Sequence, residues 1–112
     1  MDIDALEPIE KLAFAGLVRL VVRSDGEFTA QEVVALTTVA KAVGSAAFWT
    51  TMRHAQERLE TADDVMQAVE QVTRPEVRRW IYTILHGIAK SDGIDRQEGE
   101  ILHWLISAWD LR

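Results

Sequence analysis

The sequence SDGEFTAQE at residues 24–32 returns almost unchanged as SDGIDRQE at residues 91–98, 67 residues further along the chain. Asp-Gly favours a tight turn, because glycine adopts positive φ without strain and aspartate hydrogen-bonds the backbone of its own turn. In both copies a good helix-capping residue then precedes a glutamate by three positions, which is the pattern of a capping box. Each copy therefore predicts a turn that leads directly into a helix.

Apolar residues follow a helical period throughout the chain, and no stretch combines strict alternation with enrichment in β-branched and aromatic residues. We therefore predict an all-α fold, a compact helical bundle that forms one domain over residues 1–112. Six helices are expected: about Ala5 to Arg23, Thr29 to Gly44, Ser45 (as the cap) to Leu59, a fourth that opens with the capping box at Thr61, Thr73 to about Lys90, and a sixth from Asp95.

The first two helices correspond to the last two. LVRLVVRSDGEFTAQEVVAL at 17–36 and ILHGIAKSDGIDRQEGEIL at 84–102 share an apolar helix, a basic residue, Ser-Asp-Gly, a capping box and a second apolar helix. This pattern predicts an internally duplicated helix-turn-helix unit, with the third and fourth helices between the copies.

Composition narrows the possible functions. The net charge of −6 argues against a nucleic-acid partner, because neutralisation of phosphates supplies most sequence-independent affinity for nucleic acid. The longest apolar run, LAFAGLV at 12–18, is too short for a membrane span. The absence of cysteine fits a reducing compartment, and the acidic N-terminus lacks the basic region of a secretory signal. We therefore expect a cytoplasmic protein that is not inserted in a membrane.

Two copies of an apolar helix, a small residue, Asp-Gly, a hydrophobic residue, a cap and a glutamate resemble the tellurite-resistance TerB family over nearly the whole chain. The resemblance implies a non-enzymatic stress-response module that works in multiprotein assemblies. It also implies a divalent cation, Ca²⁺ or Mg²⁺, bound by acidic residues of the two turns, here Asp25, Glu32, Asp92 and Glu98. Glu32 follows its aspartate by seven positions and Glu98 by six, so the two halves of such a site are expected to differ.

The alternative is a helical protein-interaction domain in which the Asp-Gly turns are structural caps only. It would engage its partner through Trp109 or through the cluster Arg74, Arg78 and Arg79, although pairing of these arginines with Glu70 or Glu76 is the more ordinary interpretation. Trp49, Trp80, Trp104 and Trp109 are each expected mainly to fill the core, because aromatic side chains bury large areas in small domains.

Two further hypotheses involve histidine. His86 and His103 lie on polar stripes of the fifth and sixth helices, and a zinc site would need these stripes to converge with a carboxylate. Glu100, His103 and Ser107 share one helix face and have the residue types of a hydrolase triad, but the sequence offers neither a nucleophile elbow nor oxyanion donors.

Overall fold

The computed structural model describes residues 2–22, 30–90 and 96–111, and within these ranges all side chains except those of residues 22, 31, 32, 96 and 97. A short 3₁₀ turn, Ile3–Ala5, precedes six α-helices, and the described residues contain no strand. The all-α prediction is therefore confirmed. The helices are α1 (Pro8–Val22), α2 (Ala30–Val43), α3 (Ser45–Arg58), α4 (Ala62–Glu70), α5 (Pro75–Lys90) and α6 (Arg96–Trp109).

Helix α1 lies at the centre of the bundle and packs against α3, α4, α5 and α6. Its consecutive residues 13–18 are all buried, because a helix that is apolar on nearly every face must be covered on most sides. Gly16 permits the closest approach, because a Cβ at this position would lie 2.9 Å from Cδ1 of Leu59 and 3.0 Å from Cγ2 of Val65. Glycine has a low helix propensity, but at this position its lack of a Cβ allows α4 to pack closely against α1.

Aromatic packing joins α1 to two of its neighbours. Phe14 is fully buried, with its ring centroid 6.1 Å from that of Phe48 on α3 and 5.1 Å from that of Trp80 on α5. Both are contact distances at which aromatic pairs add stability beyond the burial of area. Phe14 is therefore the point at which three helices meet.

Several helix boundaries follow from local chemistry. Thr61 and Asp64 form the predicted capping box: the Thr61 hydroxyl accepts from the Asp64 N–H, and the Asp64 carboxylate accepts from the Thr61 N–H, both at 3.1 Å. Gly44 ends α2 with a positive φ of 112°, which glycine adopts without strain. Ser45, however, is already the first residue of α3, so the prediction that it caps this helix is wrong. Gly44 is thus the single residue between α2 and α3, and the axes of these two helices differ by 118°.

Two predicted helix starts lie too early. The first helix begins at Pro8 and not near Ala5, because Asp2 accepts a hydrogen bond from the Asp4 N–H and holds residues 3–5 in the separate 3₁₀ turn. The fifth begins at Pro75 and not at Thr73, since the residue before a proline is disfavoured in the helical region. Helix α5 therefore starts directly after Arg74, whose carbonyl accepts from two N–H groups of its first turn.

The helix contacts agree with an approximate twofold relation between the two halves. Such an operation exchanges α1 with α5 and α2 with α6, so a contact between α1 and α6 requires one between α5 and α2. Both contacts are present, as is the contact between α1 and α5 themselves. The equivalence of the two units stays a prediction.

Among the described residues, no single helix is long and apolar enough to cross a membrane, and α2 with α3 meets that criterion only as a bent pair.

Candidate functional site

Of the four predicted cation ligands, the structure describes the side chain of one, Glu98. Asp25 and Asp92 lie outside the described residues, and Glu32 lies in α2 with its side chain outside them. Glu98 is described: it stands in the first turn of α6 and is only 8% exposed, which is unusual for a glutamate. Within the described part of the chain, no three histidine, aspartate or glutamate side chains gather closely enough to hold a metal ion.

The described helix ends next to the two turns meet at one cavity. Ala30 is the first residue of α2, immediately after residues 23–29, and Ile88 lies in the last turn of α5, before residues 91–95. Both residues line the same groove between α2 and α5. The helix that follows the first Asp-Gly segment and the helix that precedes the second therefore line the same groove.

This groove, called the α2/α5 groove from here on, has a volume of about 610 Å³. Its lining is apolar apart from one threonine and comprises Ala30, Val34, Ala35, Thr38, Val39, Ile84, Gly87 and Ile88. Val34 is 66% exposed, and a Cβ built on Gly87 would meet no atom within 4 Å. The groove is thus open to solvent on both of its walls.

Each helix that lines the α2/α5 groove has a lysine near its C-terminal end. Lys41 follows Thr38 by three positions and Val34 by seven on α2, and Lys90 follows Gly87 by three positions on α5. These spacings place each lysine on the helix face that lines the groove. Both lysines are exposed. Each wall of the groove thus carries one exposed lysine, in a chain whose net charge is −6.

The tryptophans occupy three kinds of environment. Trp109 is 3% exposed, and its indole N–H donates to the carbonyl of Val69 at 3.0 Å, so its suggested role in a partner groove is wrong. The indole of Trp109 instead anchors the end of α6 to α4. Trp80 and Trp104 are half-buried against the core, whereas Trp49 is 44% exposed and packs edge-on against Phe48. The expectation that tryptophan fills the core is therefore not met at Trp49.

The arginine cluster is largely engaged inside the molecule. Arg74 donates from Nε to Oε2 of Glu10 at 2.8 Å, from Nη2 to Oε1 of Glu10, and from Nη2 to the carbonyl of Ala5. Arg78 donates from Nε to the carbonyl of Val72 at 2.8 Å. Glu76 lies at the 4.0 Å limit of an ion pair with Arg74, so the expected local partner is secondary to Glu10, 64 residues away.

Glu10 is a buried carboxylate, 2% exposed, near the start of α1. The hydrogen bonds from the Arg74 guanidinium hold its pKa below the usual range, while burial acts in the opposite direction. The N–H of Glu7 adds a further hydrogen bond to Oε1 at 2.7 Å. The pair therefore fixes the beginnings of α1 and α5 to each other.

The histidine hypotheses gain no support from the geometry. Glu100, His103 and Ser107 are all exposed on α6, and the cavity that Glu100 lines includes neither His103 nor Ser107. His86 is half-buried beside the ring of Tyr82, with a centroid separation of 6.0 Å. No metal-binding group in the described ranges includes either histidine.

A comparison with protein families decides the assignment. The family model of tellurite resistance protein TerB matches residues 11–108, which is nearly the whole chain. The chain belongs to the TerB family. No curated protein and no solved structure matches it in the corresponding comparisons. The match extends from the start of the central helix α1 to the last turn of α6, so this TerB domain includes both walls of the α2/α5 groove.

Proposed function

We propose that this TerB domain is a non-enzymatic, cytoplasmic binding module of a stress response of the tellurite-resistance type, and that its α2/α5 groove takes up an amphipathic helix of a partner protein. The feature that supports this proposal is the open apolar lining of the groove. Exposed apolar surface of this kind marks interaction sites in soluble proteins, because it gains free energy when a partner removes it from water.

The lysines on the two walls of the groove define the chemistry of the partner. A helix that places apolar side chains at positions i, i+3, i+4 and i+7 fits a groove between two helices. Acidic residues beside that apolar stripe would face Lys41 and Lys90, and complementary charge speeds association and selects against basic partners. We therefore infer an acidic amphipathic helix as the occupant.

Two synthetic helical peptides test this occupant directly. Both carry leucine on one face, and the flanking positions are glutamate in one peptide and lysine in the other. We expect fluorescence anisotropy to show binding of the glutamate peptide and much weaker binding of the lysine peptide. Val34→Glu should weaken the former about tenfold or more, because it removes an apolar contact and places a carboxylate against acidic flanks.

The matched control is Val33→Glu. Val33 is 46% exposed on the same helix, but it does not line the groove. Its variant should bind the glutamate peptide like the unaltered protein. Equal binding of both peptides, or equal losses in the two valine variants, would exclude the groove as the docking site.

We further propose that Asp25, Glu32, Asp92 and Glu98 hold one Ca²⁺ or Mg²⁺ ion, as the TerB resemblance implies. Carboxylate oxygens are the ligands that these hard cations prefer. Two observations support the proposal: Ala30, next to the first turn, and Ile88, three positions before the second, line a common cavity, and Glu98 is only 8% exposed. A cation there would couple the two turns, which adjoin the walls of the groove.

Calorimetric titration of chelator-treated protein with Ca²⁺, Mg²⁺, Mn²⁺ and Zn²⁺ measures this binding. We expect Asp25→Asn and Asp92→Asn to weaken it strongly while the apo melting temperature changes little, since asparagine still closes the turn. The shorter second turn predicts that Glu32→Gln costs more affinity than Glu98→Gln. Asp63→Asn, at an exposed position of α4, is the control and should bind like the unaltered protein.

The alternative remains a helical interaction domain in which the Asp-Gly turns are structural caps only. Peptide binding together with an absence of cation binding would favour this alternative. Losses of apo stability in the aspartate variants, with unchanged ion affinity, would assign these side chains to the fold alone.

A further inference from the structure

We infer a second binding site, for a small phosphate-bearing ligand, in a cavity between the first turns of α1 and the C-terminal half of α3. The cavity has a volume of about 250 Å³. It is lined by Pro8, Lys11, Leu12, Thr51, His54 and Arg58. It shares no lining residue with the α2/α5 groove, so this inference does not depend on the proposed function.

Basic side chains converge on this cavity from two helices. Thr51, His54 and Arg58 follow one another at intervals of three and four residues and form one stripe of α3, and Lys11 faces them from α1. Within the described part of the chain, Lys11 and Arg58 make no ion pair. A lysine, an arginine and a histidine thus line one cavity in a molecule whose net charge is −6.

Thr51 adds a hydrogen-bond donor to the lining of this cavity. It is only 7% exposed, yet its hydroxyl has no hydrogen-bond partner among the described residues. No fully buried side-chain oxygen in these ranges lacks a partner, so the hydroxyl retains some accessible surface, and Thr51 lines this cavity. Water can reach this hydroxyl from the cavity, and a ligand oxygen that accepts its hydrogen bond would take the place of that water.

The remaining lining and the surrounding charges define the ligand further. Lysine, arginine and a hydroxyl together are the donors that proteins use for phosphate oxygens. Pro8 and Leu12 add an apolar wall, which favours a phosphate monoester with an apolar body over inorganic phosphate. Glu10 lies nearby on α1, but its carboxylate is occupied by Arg74.

Titration of the full chain with phenyl phosphate and with inorganic phosphate, followed by backbone amide NMR, tests the site. We expect saturable shifts in α1 and α3 with both probes, and tighter binding of phenyl phosphate. Lys11→Gln and Arg58→Gln should each weaken binding roughly fivefold to tenfold, because each removes a charge-assisted hydrogen bond. Arg53→Gln, which removes an exposed arginine of α3 outside the cavity lining, should leave affinity unchanged.

Thr51→Val separates a ligand contact from a structural role. Valine keeps the shape of the side chain and removes only the hydroxyl, so the melting temperature should stay the same or rise slightly while phosphate affinity falls. A lower melting temperature with unchanged affinity would overturn the inference. So would the absence of saturable shifts with either probe, or an equal loss of binding in Arg53→Gln, which would indicate general charge screening.

Discussion

Phe14→Ala is expected to lower the free energy of unfolding by about 3–5 kcal/mol, the range typical of phenylalanine truncation in a packed core. Phe14 is fully buried on the central helix, and its ring touches those of Phe48 and Trp80. Truncation removes both ring contacts and leaves a cavity where α1, α3 and α5 meet. Urea unfolding, followed by circular dichroism at 222 nm as is usual for helical proteins, measures the loss.

Two controls make this result specific. Trp49→Ala removes a larger aromatic side chain that also touches Phe48 but is 44% exposed, so its loss should be much smaller. Phe14→Leu keeps most of the buried apolar volume and should fall between the two. Similar losses for Phe14→Ala and Trp49→Ala would mean that α1 is not the centre of the core.

Local signals in the sequence predicted the secondary structure well, since they act over a few residues. The capping box at Thr61 and the positive φ of Gly44 both follow from neighbouring chemistry and both are observed. Ser45 shows the limit of this reasoning. Serine is a good cap, but whether it stands before or inside the helix depends on the sharp bend between α2 and α3, which no local pattern encodes.

Contacts between distant residues were not predictable in the same way. Val34 and Ile84 are ordinary apolar residues of amphipathic helices, and a sequence gives no reason to place them in an open groove and not in the core. Trp109 instead meets the core expectation: it is 3% exposed, and its indole N–H donates to the carbonyl of Val69 on α4. Which apolar face remains open depends on how the helices are arranged.

Glu10 was overlooked, although the sequence did contain a signal. It precedes Ala13, Phe14 and Leu17 by three, four and seven positions, so it shares the most buried face of α1. An acidic residue at such a position needs a cationic partner, because an unpaired buried charge is costly. The sequence could have indicated that a partner exists, but not that it is Arg74.

Removal of that partner is the second large effect we expect. Arg74→Met leaves the Glu10 carboxylate, 2% exposed, without the guanidinium that neutralises it. Breaking a buried pair from one side is strongly destabilising, so the melting temperature at pH 7 should fall by roughly 10 °C or more. Glu10→Gln should cost less, because the Arg74 side chain is 38% exposed and can regain water.

The dependence on pH distinguishes this explanation from a simple loss of packing. In the unaltered protein the pKa of Glu10 is lowered, so the pair contributes its full stability above the ordinary carboxyl pKa, and the contribution is lost as pH falls through the lowered value. In Arg74→Met burial raises the pKa of Glu10 and outweighs the hydrogen bond from the Glu7 N–H, which lowers it, so stability is lost as pH rises through the raised value. The difference in melting temperature between the two proteins should therefore narrow steadily as pH is lowered from 7 towards 4.5.

Calorimetric melting across this pH range provides the measurement, and two further variants complete it. Arg79→Met removes an exposed arginine of the same helix and should follow the unaltered protein at every pH. The double variant Glu10→Met with Arg74→Met removes both charges, so it should regain much of the lost stability and lose the inverted pH dependence. A constant difference between Arg74→Met and the unaltered protein at all pH values would show that Arg74 acts through packing and its bond to the Ala5 carbonyl, and not through the charge of Glu10.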